Sequence, residues 1–202
     1  MLRAALTLAL AALCAVGLVA LLHDVTRPLA EHNERERRMA RFAELVPPGG
    51  YDNEPLEDVV HVRSPDLLGS DTPLPVYRLR RDGQPVGALI TVVAPNGYSG
   101  AIRLVVGIDP QGRVLGVRVL AHRETPGIGD GIDERKSDWI RSFTGRSLGD
   151  PPPERWRVRR DGGDFDQFTG ATITPRAVVR AVYNAQVYFA QHREHLFDAP
   201  AE

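Results

Sequence analysis

Val76-Tyr77-Arg78-Leu79-Arg80 runs into Asp82-Gly83, and Val86-Gly87-Ala88-Leu89-Ile90-Thr91-Val92-Val93 leaves it. Both arms are rich in β-formers, and Asp-Gly between two such runs is a strong short-range hairpin signal. Downstream, Ala101-Ile102-Arg103-Leu104-Val105-Val106-Gly107-Ile108 reaches a second turn at Asp109-Pro110-Gln111-Gly112, and Val114 to Leu120 follows. Four strands joined by short connections predict an antiparallel meander, because parallel strands require long crossovers. No Rossmann fingerprint or P-loop accompanies them. Beyond the strands, Asp133 to Phe143 suits a short helix with Trp139, Ile140 and Phe143 on its buried side. Trp156-Arg157-Val158-Arg159 reads as one more strand after three prolines, with Arg155, Arg157, Arg159 and Arg160 on its wet face. Pro175 opens a final helix in which Val178, Ala181, Val182, Ala185 and Phe189 recur on one face up to about Leu196. The fold class is α+β, an antiparallel sheet with flanking helices.

The chain has 202 residues, 43% hydrophobic and 25% charged, enough for one domain of ordinary core size and a small appendage. Its formal net charge is -1, so the field of a nucleic-acid binder is missing. Cys14 is the single cysteine, which excludes an internal disulfide, a cysteine-based cluster and a CxxC pair. Any redox chemistry must therefore come from a bound cofactor. Six histidines share no metal-ligand spacing, and no metal is expected.

A mean hydropathy of -0.23 conceals a sharp partition. Ala4 to Leu22 carries no charge, and as a helix it would be roughly 28 Å long, close to the hydrocarbon thickness of a bilayer. A single transmembrane span over residues 1–23 is the leading reading. A cleaved signal peptide competes, with Arg3 as its basic region and Ala15-Val16-Gly17 as the small-residue site, but the apolar run continues past that site to Leu22. Arg3 favours a cytoplasmic N-terminus, whereas Arg27, Arg35, Arg37, Arg38 and Arg41 lie on the other side, so charge tips only weakly toward an outside-facing domain. Asp24 to Glu44 is rich in helix formers and reads as a stalk, ended by Pro47-Pro48-Gly49-Gly50. The expected organisation is an anchor over 1–23, a stalk over 24–50 and a globular domain over 51–198.

The chemistry concentrates in Asp166-Gln167-Phe168-Thr169-Gly170-Ala171-Thr172-Ile173-Thr174-Pro175. Gly170 marks a turn that leads into the last helix, and Thr174 before Pro175 is placed as its N-cap. The free N–H groups and dipole of that helix start would also hold a phosphoryl group on or near Thr174. No lysine is near in sequence, Lys136 being the only one.

This run resembles the flavinylation motif D-x-x-[ST]-G-A-T-x-[ST] of FMN-binding domains in two families, the G component of the Rnf electron transport complex and the C component of the sodium-translocating NADH:quinone reductase. His122-Arg123-Glu124-Thr125-Pro126-Gly127-Ile128-Gly129 is similar to a second loop of these families, which lies beside the flavin. Thr26-Arg27-Pro28, Glu31-His32-Asn33-Glu34 and Tyr51-Asp52-Asn53 extend the likeness to the Rnf G component over essentially the whole chain.

The resemblance implies FMN joined through its phosphate to Thr174 by an FAD-dependent flavin transferase. It casts Asp166, Thr169, Gly170, Ala171 and Thr172 as recognition elements for that enzyme, and Glu124, Thr125, Gly127 and Gly129 as residues lining the ring. It further implies a single-pass inner-membrane protein with a periplasmic domain. Such a protein relays electrons in a ferredoxin- and NAD-linked ion-translocating complex, beside Rnf components of the A, B, C, D and E types. The C component of the quinone reductase, a stand-alone membrane flavoprotein and a flavin-free tether are the alternatives.

Overall fold

A computed structural model describes residues 6, 9, 12, 13, 15–23, 26, 42–46 and 49–198. The chain divides into two compact units, Met1–Arg41 and Phe42–Glu202. In the first, residues 15–23 are helical and exposed, and the Thr26 hydroxyl donates to the Leu22 carbonyl at 2.7 Å. Among the described residues no helix is long and apolar enough to cross a membrane. The span over Ala4 to Leu22 falls in part, and the stalk over 24–50 in larger part, outside the described residues.

The second unit is built on five antiparallel strands in sequential order, β1 (Val59–Val62), β2 (Leu74–Arg81), β3 (Gln84–Ala94), β4 (Ile102–Ile108) and β5 (Val114–Ala121). The four-strand meander expected from the sequence is present, with β1 added at its edge. Asp82 and Gly83 adopt φ of +49° and +74°, the double positive φ of a type I′ turn, so Arg81 pairs directly with Gln84. At the next turn the Asp109 carboxylate accepts the N–H groups of Gln111 and Arg113 at 2.9 and 2.8 Å. An Asx arrangement of this kind closes a loop without any contribution from the core.

Period two along β3 sends Ala88, Ile90, Val92 and Ala94 to one face, where they share a core with Leu104 and Val106 of β4. Helix α1 (Pro65–Leu68) and the long helix α2 (Ile173–Asp198) cover that face. Val178, Val182, Ala185 and Phe189 of α2 are each at most 1% exposed, which supports the amphipathic pattern read from the sequence. Each buried aliphatic or aromatic side chain contributes about 1.5–3 kcal/mol of transfer free energy, so this seam fixes α2 against the sheet. On the β1–β2 edge, Arg78 is 2% exposed, and its Nε donates to Asp58 at 2.6 Å. Arg78 also donates to the Leu196 carbonyl and Arg80 to that of Phe197, at 3.3 and 3.0 Å, satisfying acceptors that the end of a helix leaves open.

The compact unit starts at Phe42, ahead of Tyr51. Phe42, Leu45 and Val46 are buried, the Phe42 ring lies 4.7 Å from Tyr77, and Leu45 fills the space left by Gly116. Two sequence expectations are corrected. Asp133 to Phe143 is not one helix but a turn followed by a 3-10 helix over Asp138–Phe143, preceded by another over Asp130–Ile132. Ser137 separates them, donating to the Gly131 carbonyl at 2.6 Å and accepting the Trp139 N–H at 3.2 Å. Trp156 to Arg159 is not a strand, since Val158 makes only an isolated parallel bridge to Phe165 between two 3-10 turns. The alternation there reflects burial alone: Trp156 and Val158 enter the core while Arg155 and Arg159 pair outside with Asp164 and Asp166.

Candidate flavin site

Three loops converge beside the start of α2. The β3–β4 connection carries Asn96 to Gly100, the segment after β5 carries His122 to Gly129, and the motif Asp166 to Thr174 enters the helix. They enclose a cleft of about 510 Å³, within the ordinary range for small-molecule sites.

Its floor is a buried pair. The Thr174 hydroxyl donates to Oε2 of Glu124, and the two residues are 0% and 4% exposed. The other carboxylate oxygen accepts the Ser99 N–H at 3.0 Å, and the Glu124 N–H donates to Nδ1 of His122 at 3.1 Å. Two glycines make room for this arrangement. A Cβ on Gly97 would stand 2.9 Å from Glu124 Oε1, and one on Gly129 would stand 3.1 Å from Oε2 and 3.3 Å from the Thr174 hydroxyl. Gly127, at φ +75°, closes the turn, with the Gly129 N–H donating to the Thr125 carbonyl at 2.9 Å. The Gly127 N–H donates to Asp130 at 2.8 Å.

The walls are apolar and exposed. Tyr98, Ile128 and Ile173 are 68%, 51% and 45% exposed, and among the described residues of the second unit they are its exposed large hydrophobic side chains. All three line this one cleft. Apolar surface gathered in a concavity marks a place where a ligand completes the packing. Arg160 supplies a cation on the same wall, and Gly170, Ala171 and Thr172 bring in the backbone that opens α2. A flat aromatic ligand with an anionic tail, such as FMN, fits this donor set: apolar walls for a ring, and a hydroxyl, a guanidinium and a helix start for a phosphate.

The structure sorts the sequence-derived residues. Glu124, Thr125, Gly129, Gly170, Ala171, Thr172 and Thr174 line the cleft. Gly127 lies outside the lining, in the turn that leads to Ile128 and Gly129. Asp166 and Thr169 are exposed and lie outside the lining: Asp166 pairs with Arg159 at 2.9 Å, and its carbonyl accepts the Trp139 indole N–H at 2.7 Å. Thr174 is not the N-cap. Helix α2 starts at Ile173, the Arg176 N–H donates to the Thr172 carbonyl at 3.2 Å, and the Thr174 side chain donates to a carboxylate instead of accepting from backbone. Pro175 is tolerated because a first-turn N–H has no intrahelical partner. Glu124 faces Thr174 at the floor instead of lining the walls. Tyr98, Ile128, Arg160 and Ile173 were not foreseen as cleft residues. An aromatic inside Asn96-Gly97-Tyr98-Ser99-Gly100 was a usable signal, whereas Arg160 arrives only through the path of the 3-10 turn Arg159–Asp161.

Residues 97–187 match the FMN-binding domain family, a stretch that contains β4, β5 and every residue lining the cleft. The class is that of proteins with an FMN-binding domain. Residues 1–45 match the RnfG N-terminal region. A relative from Pseudomonas aeruginosa (strain UCBPP-PA14), named as the G component of an ion-translocating oxidoreductase complex, is 54% identical over 202 residues, covering 100% of this chain and 94% of its own. Proteins of the same name from Pseudoalteromonas atlantica and Shewanella baltica are 48% and 46% identical, covering 98% and 99% of this chain and 92% and 94% of theirs. The chain belongs to this family, the G components of ion-translocating oxidoreductase complexes.

Proposed function

We propose that the chain is the FMN-carrying electron-transfer component of an Rnf-type ion-translocating oxidoreductase, with the flavin phosphate esterified to Thr174. One observation supports this above the others: the Thr174 hydroxyl lies on the floor of the cleft whose walls gather the exposed apolar side chains of the domain. When bound, FMN supplies one- and two-electron chemistry; the protein supplies attachment, orientation and electrostatics. Tyr98, Ile128 and Ile173 hold the ring plane and exclude water from its faces, and Arg160 offers charge to an anionic group. Asp166 and Thr169 are exposed outside the cleft, which supports reading them as recognition elements for an FAD-dependent transferase.

The apolar run Ala4 to Leu22 anchors the protein in the inner membrane, with the second unit on the periplasmic side and the other members of the complex as its partners. The match of residues 1–45 to the RnfG N-terminal region favours this complex over the sodium-translocating reductase. Coexpression with an FAD-dependent transferase, followed by a denaturing gel, tests the central step. Wild type retains flavin fluorescence and an FMN mass adduct, and Thr174→Ala retains neither. Fluorescence that survives in Thr174→Ala refutes the attachment. Labelling of cysteines introduced at Thr7 and Tyr51 in intact cells tests the topology.

A further inference from the structure

Resting on the reading of Thr174 as the attachment residue, we propose that Glu124 is the general base for formation of the phosphoester. A threonine hydroxyl is a weak nucleophile until a positioned base takes its proton, and such a base must lie within hydrogen-bond reach of that proton. Glu124 meets the condition, because its Oε2 accepts the Thr174 hydroxyl proton across 50 positions of sequence. The carboxylate is oriented by the backbone beside it. Ser99 N–H holds Oε1 at 3.0 Å, and a side chain at either Gly97 or Gly129 would crowd it.

A cap or packing role alone does not require a charge. Among the described residues no cation pairs with Glu124, although it is 4% exposed, so the carboxylate is free to take up a proton without breaking an ion pair. The groups around it are His122, which accepts the Glu124 N–H through Nδ1, Asp130 in the following turn, and Tyr98 and Arg160 on the cleft walls. None of these donates a hydrogen bond to its carboxylate.

The step balances. Thr174 Oγ1 bonds to the flavin-side phosphorus of FAD, the pyrophosphate P–O bond breaks, AMP departs, and the hydroxyl proton moves to Glu124 Oε2. Nothing is oxidised or reduced. The low dielectric of a buried pair strengthens the hydrogen bond that aligns the oxygen for attack.

The test uses the full chain, purified without flavin and mixed with FAD and an FAD-dependent transferase. Initial rates of adduct formation are read by intact mass near neutral pH for wild type, Glu124→Gln, Glu124→Asp and Thr174→Ala. Glu124→Gln is expected to slow the adduct roughly 10²–10³-fold near neutral pH. A Gln rate within threefold of wild type overturns the proposal. If Glu124→Gln melts early, Glu124→Asp carries the test. A carboxylate one methylene back should react more slowly than wild type and faster than Glu124→Gln, and an Asp rate equal to that of either overturns the proposal. An adduct on Thr174→Ala, or none on wild type, fails the attachment reading instead, so the two failures are distinguishable.

Discussion

Gly129→Ala probes the floor of the cleft without touching either functional group. Gly129 has φ -100° and ψ -15°, a conformation alanine adopts without strain, so the backbone offers no objection. The added methyl does object. It would stand 3.1 Å from Glu124 Oε2, 3.2 Å from Glu124 Cβ and 3.3 Å from Thr174 Oγ1. All three contacts are short, and a neighbourhood only 4% and 0% exposed has nowhere to relax except by parting the carboxylate from the hydroxyl. Overpacking of this kind costs about 1–3 kcal/mol. The loss of unfolded-state entropy on replacing glycine returns about 0.4–1 kcal/mol. The net is a destabilisation of about 1–2 kcal/mol, which for a domain of this size lowers Tm by roughly 2–8 °C. Gly149→Ala serves as the control, since its Cβ meets nothing within 4 Å, and its Tm should be unchanged or slightly raised. Thermal melts give the stability and transferase assays give the adduct rate, which should fall in Gly129→Ala and hold in Gly149→Ala. An unshifted melt together with a wild-type adduct rate would refute the close packing of Glu124 against Thr174.

Asp166→Ala removes one partner of an exposed ion pair, both side chains being over 60% exposed, so stability should change by less than about 0.5 kcal/mol. Its adduct yield should drop sharply if the transferase reads that carboxylate, and unchanged yield discards Asp166 as a recognition element. Arg78→Ala removes a buried guanidinium from Asp58 and from the Leu196 carbonyl; Asp58 keeps Arg80 at 2.8 Å, so the loss should sit near the lower end for a broken buried pair, about 3 kcal/mol by urea denaturation. A loss under about 1 kcal/mol removes this brace from the account of how α2 is held. Asp133 titrates at about 2, lowered chiefly by the hydrogen bond from the Arg135 side chain. Because the folded value is depressed, the stability it contributes is complete above the ordinary carboxylate range and disappears as pH falls toward 2. Arg135→Ala should flatten that limb of a stability-against-pH curve measured from pH 5 to pH 2, and an unaltered limb rules the pair out as its source.

Local rules made the sheet legible because its turns are autonomous. Asp82-Gly83 adopts two positive φ values and Asp109 ties its own loop, so the β2–β3 and β4–β5 hairpins follow from short segments read alone. β1 was not legible: Val59-Val60-His61-Val62 is four residues long, and only its partner β2 makes it a strand. The reverse error at Trp156 to Arg159 has the same origin. Alternating burial and alternating ladder geometry print the same pattern in sequence, and the choice between them is made by Phe165 and by Gly163, whose backbone crosses so close to Arg157 that any side chain there would collide with its carbonyl. At the site, Thr174 was legible from its motif, but its neighbours were not. The proton acceptor of its hydroxyl lies on another loop, and the walls come from three separated segments that only the fold brings together.

The shape of the cleft also bears on why attachment is covalent in the proposed reading. A flavin that exchanges electrons with other proteins must present an edge to them, and the exposed Tyr98, Ile128 and Ile173 leave this cleft open on that side. Exposure of that kind surrenders apolar burial, at about 25 cal/mol per Å², so non-covalent affinity falls just where electron transfer needs access. Attachment at Thr174 removes the conflict. A tethered ligand has an effective concentration in the millimolar range whatever its intrinsic affinity, which keeps the site filled while the walls are left to orient the ring and not to retain it. The two tasks then separate in mutants. Tyr98→Ala in the transferase-matured protein should retain full flavin stoichiometry by mass while its flavin becomes more accessible to a soluble quencher, and loss of stoichiometry would show that the wall, not the ester, retains the cofactor.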